Sequence, residues 1–366
     1  MDENNSETNR PKTESDEMHS RFLSTGSVLP SNDTTVDDIF RELGFGSNKS
    51  RLTSLVWGFD HESIGTNLDL PRDEYGMVFF TKPRLNLSYD NLFMDRVLSP
   101  MASRNPLSVP RIVKAYLDPV SAIVGKLGSP IVDNNNPFIS ILSTACTSLS
   151  GWPDLYAKTY TSKPGLYGQT WSKPDGPAKF YEAFPITGTF NSGISDIVGE
   201  IFHKWVIYSL LVNDGTVQPY IDYIISNRMD FNTRIYVIVL DSQRRYVKRV
   251  TCCGAAYPQF TNTGMDGNYT RDSPFKEENQ QIQIQFTAMG AFYRDMIAAY
   301  AFNRSVVDWM PAMHDKYRKA QMIQLKPPYK RQMNNMGYPR INPLTSELEW
   351  WVRKEDYSLI IKRGKK

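Results

Sequence analysis

Three cysteines and four histidines in 366 residues leave this sequence short of the side chains that most often carry covalent or metal chemistry. Cys146, Cys252 and Cys253 cannot close a disulfide set, and the adjacent pair would point to opposite faces of a strand. Reduced, buried thiols in a protein folded in a cytoplasm are the expectation. His19, His61, His203 and His314 stand far apart, with no pair at ligand spacing, which argues against a histidine-based metal site. His203 falls on the polar face of a predicted helix, where a solvated side chain is the plainer reading.

Nucleophile and phosphate motifs are missing too. No G-x-S-x-G elbow occurs, and Gly44-Phe45-Gly46-Ser47-Asn48-Lys49-Ser50 lacks the glycine directly before the lysine that a phosphate loop requires. Carboxylate pairs such as Glu277-Glu278 lie in polar, hydrated sequence, where burial cannot raise a pKa toward acid–base work. No stretch approaches the roughly 20 uninterrupted apolar residues of a membrane span, and the first residues are not signal-like. The chain is expected to be made in cytosol, to have no membrane partner, and to need no catalytic residue, cofactor or metal. Nor is there excess charge: a net +3 is too near neutrality for the whole surface to bind a polyanion. There is no internal repeat.

What the sequence has is apolar and aromatic residues: 40% hydrophobic, with Trp 7, Tyr 20 and Phe 18. A chain of this length buries a real core, and aromatics at this frequency favour strands and broad contact surfaces. Residues 1–35 are almost all polar or charged and read as a flexible arm. Residues 36–75 read as a short helix, capped at Thr35 and ended by Gly44, followed by a connector. Between 88 and 137 several prolines separate short apolar stretches, suggesting an inserted segment with short helices. Residues 156–183 mix Gly, Pro, Lys and aromatics without a period and read as a long ordered loop or extended hairpin.

Phe184, Ile186 and Phe190 share one face of a predicted strand. From Ile194 to Val206 apolar residues recur at spacings of three and four, with Ile201, Phe202 and Trp205 at the centre and Asp196, Glu200, His203 and Lys204 opposite: an amphipathic helix with one buried face. Arg234–Leu240 is apolar on both faces, and Asp241–Arg244 supplies a hairpin turn. Along 281–289, Ile282, Ile284, Phe286 and Ala288 alternate with Gln281, Gln283, Gln285 and Thr287, so one face meets a core and the other water. After 303 the text turns to Met, Pro, Lys and Arg, with Trp350-Trp351 and a basic end. The fold class is therefore mainly β, of α+β type.

The order of the pieces carries a resemblance: TSLSGWPD at 147–154, FPITGTF at 184–190, the helix core IFHKW at 201–205, two long strands over 233–253, a turn Gly254-Ala255-Ala256-Tyr257-Pro258, and SPFKEENQ leading into IQIQFTAM at 282–289. This series, over 76–87 and 138–302, resembles the phage tail-tube family, shared with the inner tube of the type VI secretion system. The resemblance implies a β-sandwich or barrel flanked by one helix over 76–302, and six copies to a ring whose stacked inner strands surround DNA. It also implies self-association and contacts with other tail proteins such as sheath, baseplate or neck. Tyr160, Pro164, Tyr167, Trp171 and Lys173 would then touch the next subunit. Ile201, Phe202 and Trp205 would anchor the outer helix, Gly254, Tyr257 and Pro258 would make the turn, and Gln281, Gln283 and Gln285 would face lumen or solvent. The arm, the insertion and the 303–366 extension exceed a minimal tube protein and leave tube, baseplate, neck and connector positions open.

Two other classes are open to this sequence. Exposed-looking aromatics alone suggest a virion polysaccharide-degrading enzyme. Tyr329, Tyr338, Trp350 and Trp351 among basic residues suggest a nucleic-acid-binding accessory, against the plainer reading of a solvated, partner-binding extension.

Overall fold

The structure, a computed structural model, describes residues 74–120, 128–154, 158–175, 182–191, 196–261, 271, 281–325 and 337–358. All belong to the compact unit Arg72–Lys366. The arm of residues 1–35, the helix expected from Thr35, the Gly44–Ser50 turn, Glu277-Glu278, Tyr329 and the basic end from Lys362 lie outside the described residues.

One antiparallel sheet dominates, as the strand periodicity implies. Its strands are β1 (Tyr75–Phe80), β2 (Cys146–Ser150), β5 (Ala183–Asn191), β6 (Ile235–Leu240), β7 (Val247–Thr261) and β8 (Gln281–Tyr293), in the order β1-β6-β7-β8-β5-β2. The doubly apolar β6 lies inside the sheet, between β1 and β7. The β6–β7 turn holds because the Asp241 carboxylate accepts from the backbone N–H groups of Arg245 and Tyr246, at 2.8 and 3.1 Å, while Arg244 takes a left-handed φ of 57°. Ile186 pairs with Phe286 and Phe184 with Ala288, and all four are buried.

Helix α3 (Ile197–Asn213) covers that face, following α1 (Val109–Leu117) and α2 (Ser140–Ala145) in the chain. Phe202 lies 5.0 Å from Phe190 and 5.7 Å from Phe286, ring centre to ring centre. Trp205 is fully buried, and its indole N–H donates to the Phe231 carbonyl at 2.9 Å. The helix is not buried along a single face, however. Lys204, expected opposite the core, is 7% exposed and pairs with Glu200 at 3.3 Å, and His203 is half-buried. Helix α1 packs against α3 as well, so the helix has neighbours besides the sheet and is apolar nearly all round. Residues 88–137 do contain short helices, and Leu92, Leu98, Met101, Val113 and Leu117 from that stretch are fully buried in the same core.

Among the described residues, the other face is covered over β1, β6 and β7 only. Helix α4 (Met296–Trp309) runs across residue 303, and Phe302 sits 5.2 Å from Phe79, 5.1 Å from Phe138 and 5.4 Å from Tyr236. A small sheet of β9 (Met322–Gln324), β10 (Tyr338–Ile341) and β11 (Leu348–Arg353), in the order β10-β11-β9, joins this core. The adjacent cysteines divide between the two cores as expected, Cys252 in the core that holds Phe302 and Cys253 in the one that holds Phe286. Burial pushes the Cys252 thiol up to about 11 and that of Cys253 up to about 12.

The solvated C-terminal extension is corrected here. Tyr338 and Trp351 are 5% and 8% exposed. The Trp351 indole N–H donates to Glu349 at 2.9 Å, and the Tyr338 hydroxyl to Asp133 at 2.7 Å. Arg340 is neutralised by Asp315 and Glu349, at 2.9 and 3.3 Å. These rings and charges close the second core, because the apolar side chains of Phe79, Tyr236, Ile238 and Leu240 need a cover, and they are not free to stack on bases.

Trp205→Ala removes a fully buried indole and its hydrogen bond, and should cost about 3–5 kcal/mol in urea unfolding. Gly151 has a φ of +102°, and a Cβ there would lie 2.3 Å from the Pro185 carbonyl oxygen, whereas a Cβ on Gly76 meets nothing within 4 Å. Gly151→Ala should therefore lower the melting temperature by many degrees and Gly76→Ala by almost none; equal losses would contradict the close approach.

Candidate assembly surfaces

Three surfaces of the molecule lack a partner within the described residues. The first is a hairpin of β3 (Thr159–Thr161) and β4 (Ser172–Pro174), which pair only with each other. It is well formed: the Ser162 N–H donates to the Trp171 carbonyl at 2.8 Å and the Gly165 N–H to that of Gln169 at 2.9 Å. Tyr160 and Trp171 lie 6.0 Å apart, with the Lys173 ammonium 5.8 Å from the Tyr160 ring and 6.0 Å from the Trp171 ring. All five residues singled out in this loop, Tyr160, Pro164, Tyr167, Trp171 and Lys173, are exposed, and at the tip Leu166 and Tyr167 are 91% and 89% exposed. An isolated two-stranded hairpin is only marginally stable in water, and apolar side chains held this far out mark contact surfaces.

The second surface is the pair of sheet edges. Among the described residues no strand adds to the outer side of β2, and β1 is met only at its end, where Ile139 N–H donates to the Phe80 carbonyl at 2.8 Å. The sheet curls so that both edge strands line one cleft of about 1400 Å³, whose apolar walls include Met77, Val78, Ile141, Leu149, Trp152 and Trp350. Neither β1 nor β2 carries a lysine or a proline, the usual guards of an exposed edge.

The third is the bare half of the sheet. Gln281 and Gln283 are exposed and Gln285 is half-buried, alternating with Ile284, Phe286 and Ala288, which are buried. No helix or strand covers these glutamines among the described residues.

The expected turn at Gly254, Tyr257 and Pro258 is absent. All three lie within β7, where Tyr257 pairs with Thr287 and Pro258 with Phe286. Pro258 is tolerated because the ladder slips between Pro258 and Phe260, a bulge that needs no donor from the proline. Gly254 stands across from Gly290, which bends β8 with a φ of +69°, and the Phe292 ring lies over both positions, 3.7 and 3.6 Å from a Cβ built there.

Behind α3 the perturbed groups serve architecture. The Tyr208 hydroxyl donates to Asp230 and accepts from the Asn86 N–H at 3.0 Å, while Asp118 accepts from the Leu87 N–H at 3.0 Å and the Tyr220 hydroxyl at 2.9 Å. Burial raises the Asp230 carboxyl pKa and that of the Tyr208 hydroxyl. This network ties the 86–87 segment to Asp118, Tyr208, Tyr220 and Asp230, and no sequence motif announced it. Among the described residues no helix is long and apolar enough to cross a membrane, and no group of three or more His, Cys, Asp or Glu is placed to hold a metal ion.

Over residues 20–365 the chain matches the family described as "Putative phage tail tube protein". No curated protein matches it. Among solved structures it is similar to the tube-terminating cap of the anti-feeding prophage, at 16% identity over 40% of this chain and 78% of that one, with a TM-score of 0.26. It is also similar to the sheath/tube terminator of an extracellular contractile injection system in the extended state, at 12% identity over 41% of this chain and 85% of that one, TM-score 0.24. The sheath–tube complex of that system gives 13% identity over 43% and 82%, TM-score 0.24. With TM-scores this low, the three are partial resemblances only.

Proposed function

The chain belongs to the phage tail-tube protein family, whose match spans residues 20–365, and from that premise we propose a structural, non-enzymatic subunit that assembles with copies of itself into stacked rings. The rings form the tail tube or a tube-like part of the tail, six copies to a ring as the sequence resemblance implies, and DNA passes through their centre. Sheath, baseplate or neck proteins are the neighbours of such a part. The family match carries the reading. Its physical support is the pair of sheet edges that no described strand completes along their length, since a closed ring of self-complementary copies removes edges that a single chain leaves open. The projecting hairpin supplies a second contact, with rigid aromatic rings that add area at small entropic cost.

Negative-stain images of the purified chain should show rings or tubes with a central channel; a monomer at every concentration would overturn the proposal. Replacing Leu166 and Tyr167 by serine should leave urea unfolding within about 0.5 kcal/mol of the parent, as for other exposed substitutions, yet prevent stacking. A double variant that unfolds would instead place the hairpin in the fold's own core.

A further inference from the structure

The short helix Ile221–Ile225 buries none of its residues. A helix of that length is unstable in water unless something packs on it, yet Ile221, Ile224 and Ile225 are each more than half exposed. Two segments build its surroundings. After α3 the chain turns at Gly215, with a φ of +74°, and the Gln218 carbonyl then accepts from the side-chain amides of Asn86 and Asn91, both at 2.9 Å. The Tyr220 hydroxyl, donated to Asp118, fixes the start of the helix. The helical turn Tyr89–Leu92 is thereby joined to the loop that leads into the helix. Just beyond it Phe93 and Met94 are 68% and 60% exposed, with the Phe93 ring stacked on Tyr89. Together with the exposed Leu210 on the last turn of α3, these side chains make an apolar surface rimmed by acid. Asp90, Asp95, Asp214 and Asp222 stand on segments 88–96 and 210–229, against Arg96 and Arg228.

The β3–β4 hairpin has the opposite character. Its strands also bury nothing, and Tyr160, Leu166, Tyr167 and Trp171 stand among Lys158, Lys163 and Lys173, against Asp175. One surface is aliphatic and acidic, the other aromatic and basic, and within one copy both stay exposed. Apolar centres with polar rims are the anatomy of protein interfaces, and opposite charge on the two rims steers their encounter and sets their register. Because the surfaces differ, they join copies head to tail, and such a contact repeats along a stack instead of closing on itself as a two-fold pair does.

We propose that the acidic, apolar surface formed by residues 88–96 and 210–229 is the seat of the β3–β4 hairpin of a copy in the adjacent ring. The proposal rests on the ring assembly above and names the acceptor that the hairpin contact requires.

The test uses full-length chain in three forms: the parent, Leu166→Ser with Tyr167→Ser, and Ile221→Ser with Ile225→Ser. Both double variants change exposed side chains and should unfold in urea at the parent's midpoint. In negative stain the parent should give tubes and each variant single rings. One kind of variant ring lacks the hairpin tip and the other lacks its seat, so mixing the two preformed kinds restores a single contact and should yield ring pairs and nothing longer. In parent tubes that also carry Thr170→Cys and Ser226→Cys, a flexible bis-maleimide should join copies into a ladder, above the background that the native thiols give without those two changes. Parent chain that forms no rings sinks the assembly reading and this inference with it. Parent rings that never stack, a variant at 221 and 225 that makes tubes as the parent does, or mixed rings that stay single overturn the inference alone. Folded variants that form no rings place the contact within a ring and overturn the stacking assignment. If the variant at 221 and 225 unfolds, the cross-link decides, and tubes without a ladder place the hairpin elsewhere.

Discussion

A β-sheet that does not close leaves two rows of backbone N–H and C=O groups at its margins, and the organisation of this protein follows from where those rows fall. The six-stranded sheet curls until β1 and β2 line the same cleft, but they do not pair. The end of β1 is partly met by residues 137–139, whereas β2 offers a polar strand, CTSLS, to whose outer side no strand is added among the described residues. Proteins that work as monomers normally blunt such an edge with lysine, proline or a covering loop. Here β2 is short and its ladder slips between Cys146 and Ser148, and its outer side is free to take another strand.

The covering of the sheet follows the same asymmetry. Over β1, β6 and β7 both faces are apolar, and the chain spends its long C-terminal portion, from Met296 to Arg353, on the second face. Tyr338, Trp351 and Phe302 are consumed there. Over β8, β5 and β2 one face is apolar beneath α3 and the other is glutamine, threonine and serine. One sheet therefore carries a closed half that supplies stability and an open half that supplies surface. Cys252 and Cys253, one in each core, mark a strand that is buried on both sides.

What could be read from the sequence was local periodicity. The alternation Ile282, Ile284, Phe286, Ala288 and the spacing of Ile201, Phe202 and Trp205 each state which side of an element meets a core, and the structure places them there. What could not be read depended on partners distant in sequence. Gly254 and Pro258 are turn formers by propensity, and only the register against β8, with Gly290 opposite one and a bulge beside the other, makes them strand residues. Lys204 lies on the polar side of its helix by spacing, and only the folded surroundings bury it. The apolar spacing of Ala298, Phe302 and Val306 belongs to a helix that follows directly on a long strand, so that the change of period is short and easily divided. The uncharged, polar face was visible on β8 alone; its extension through Thr187, Thr189 and Ser148 exists only once three strands from separate regions of the chain are set side by side.

The central claim is that the open edge of β2 is an assembly edge. A cryo-electron microscopy reconstruction of the assembled protein tests it most directly, through the surroundings of Cys146–Ser150. The account predicts a strand of a neighbouring copy beside β2 at the usual inter-strand spacing of about 4.8 Å, with Gln281, Gln283 and Gln285 facing the central channel. An assembly in which the outer side of β2 faces solvent, or in which the glutamines point away from the axis, would contradict it.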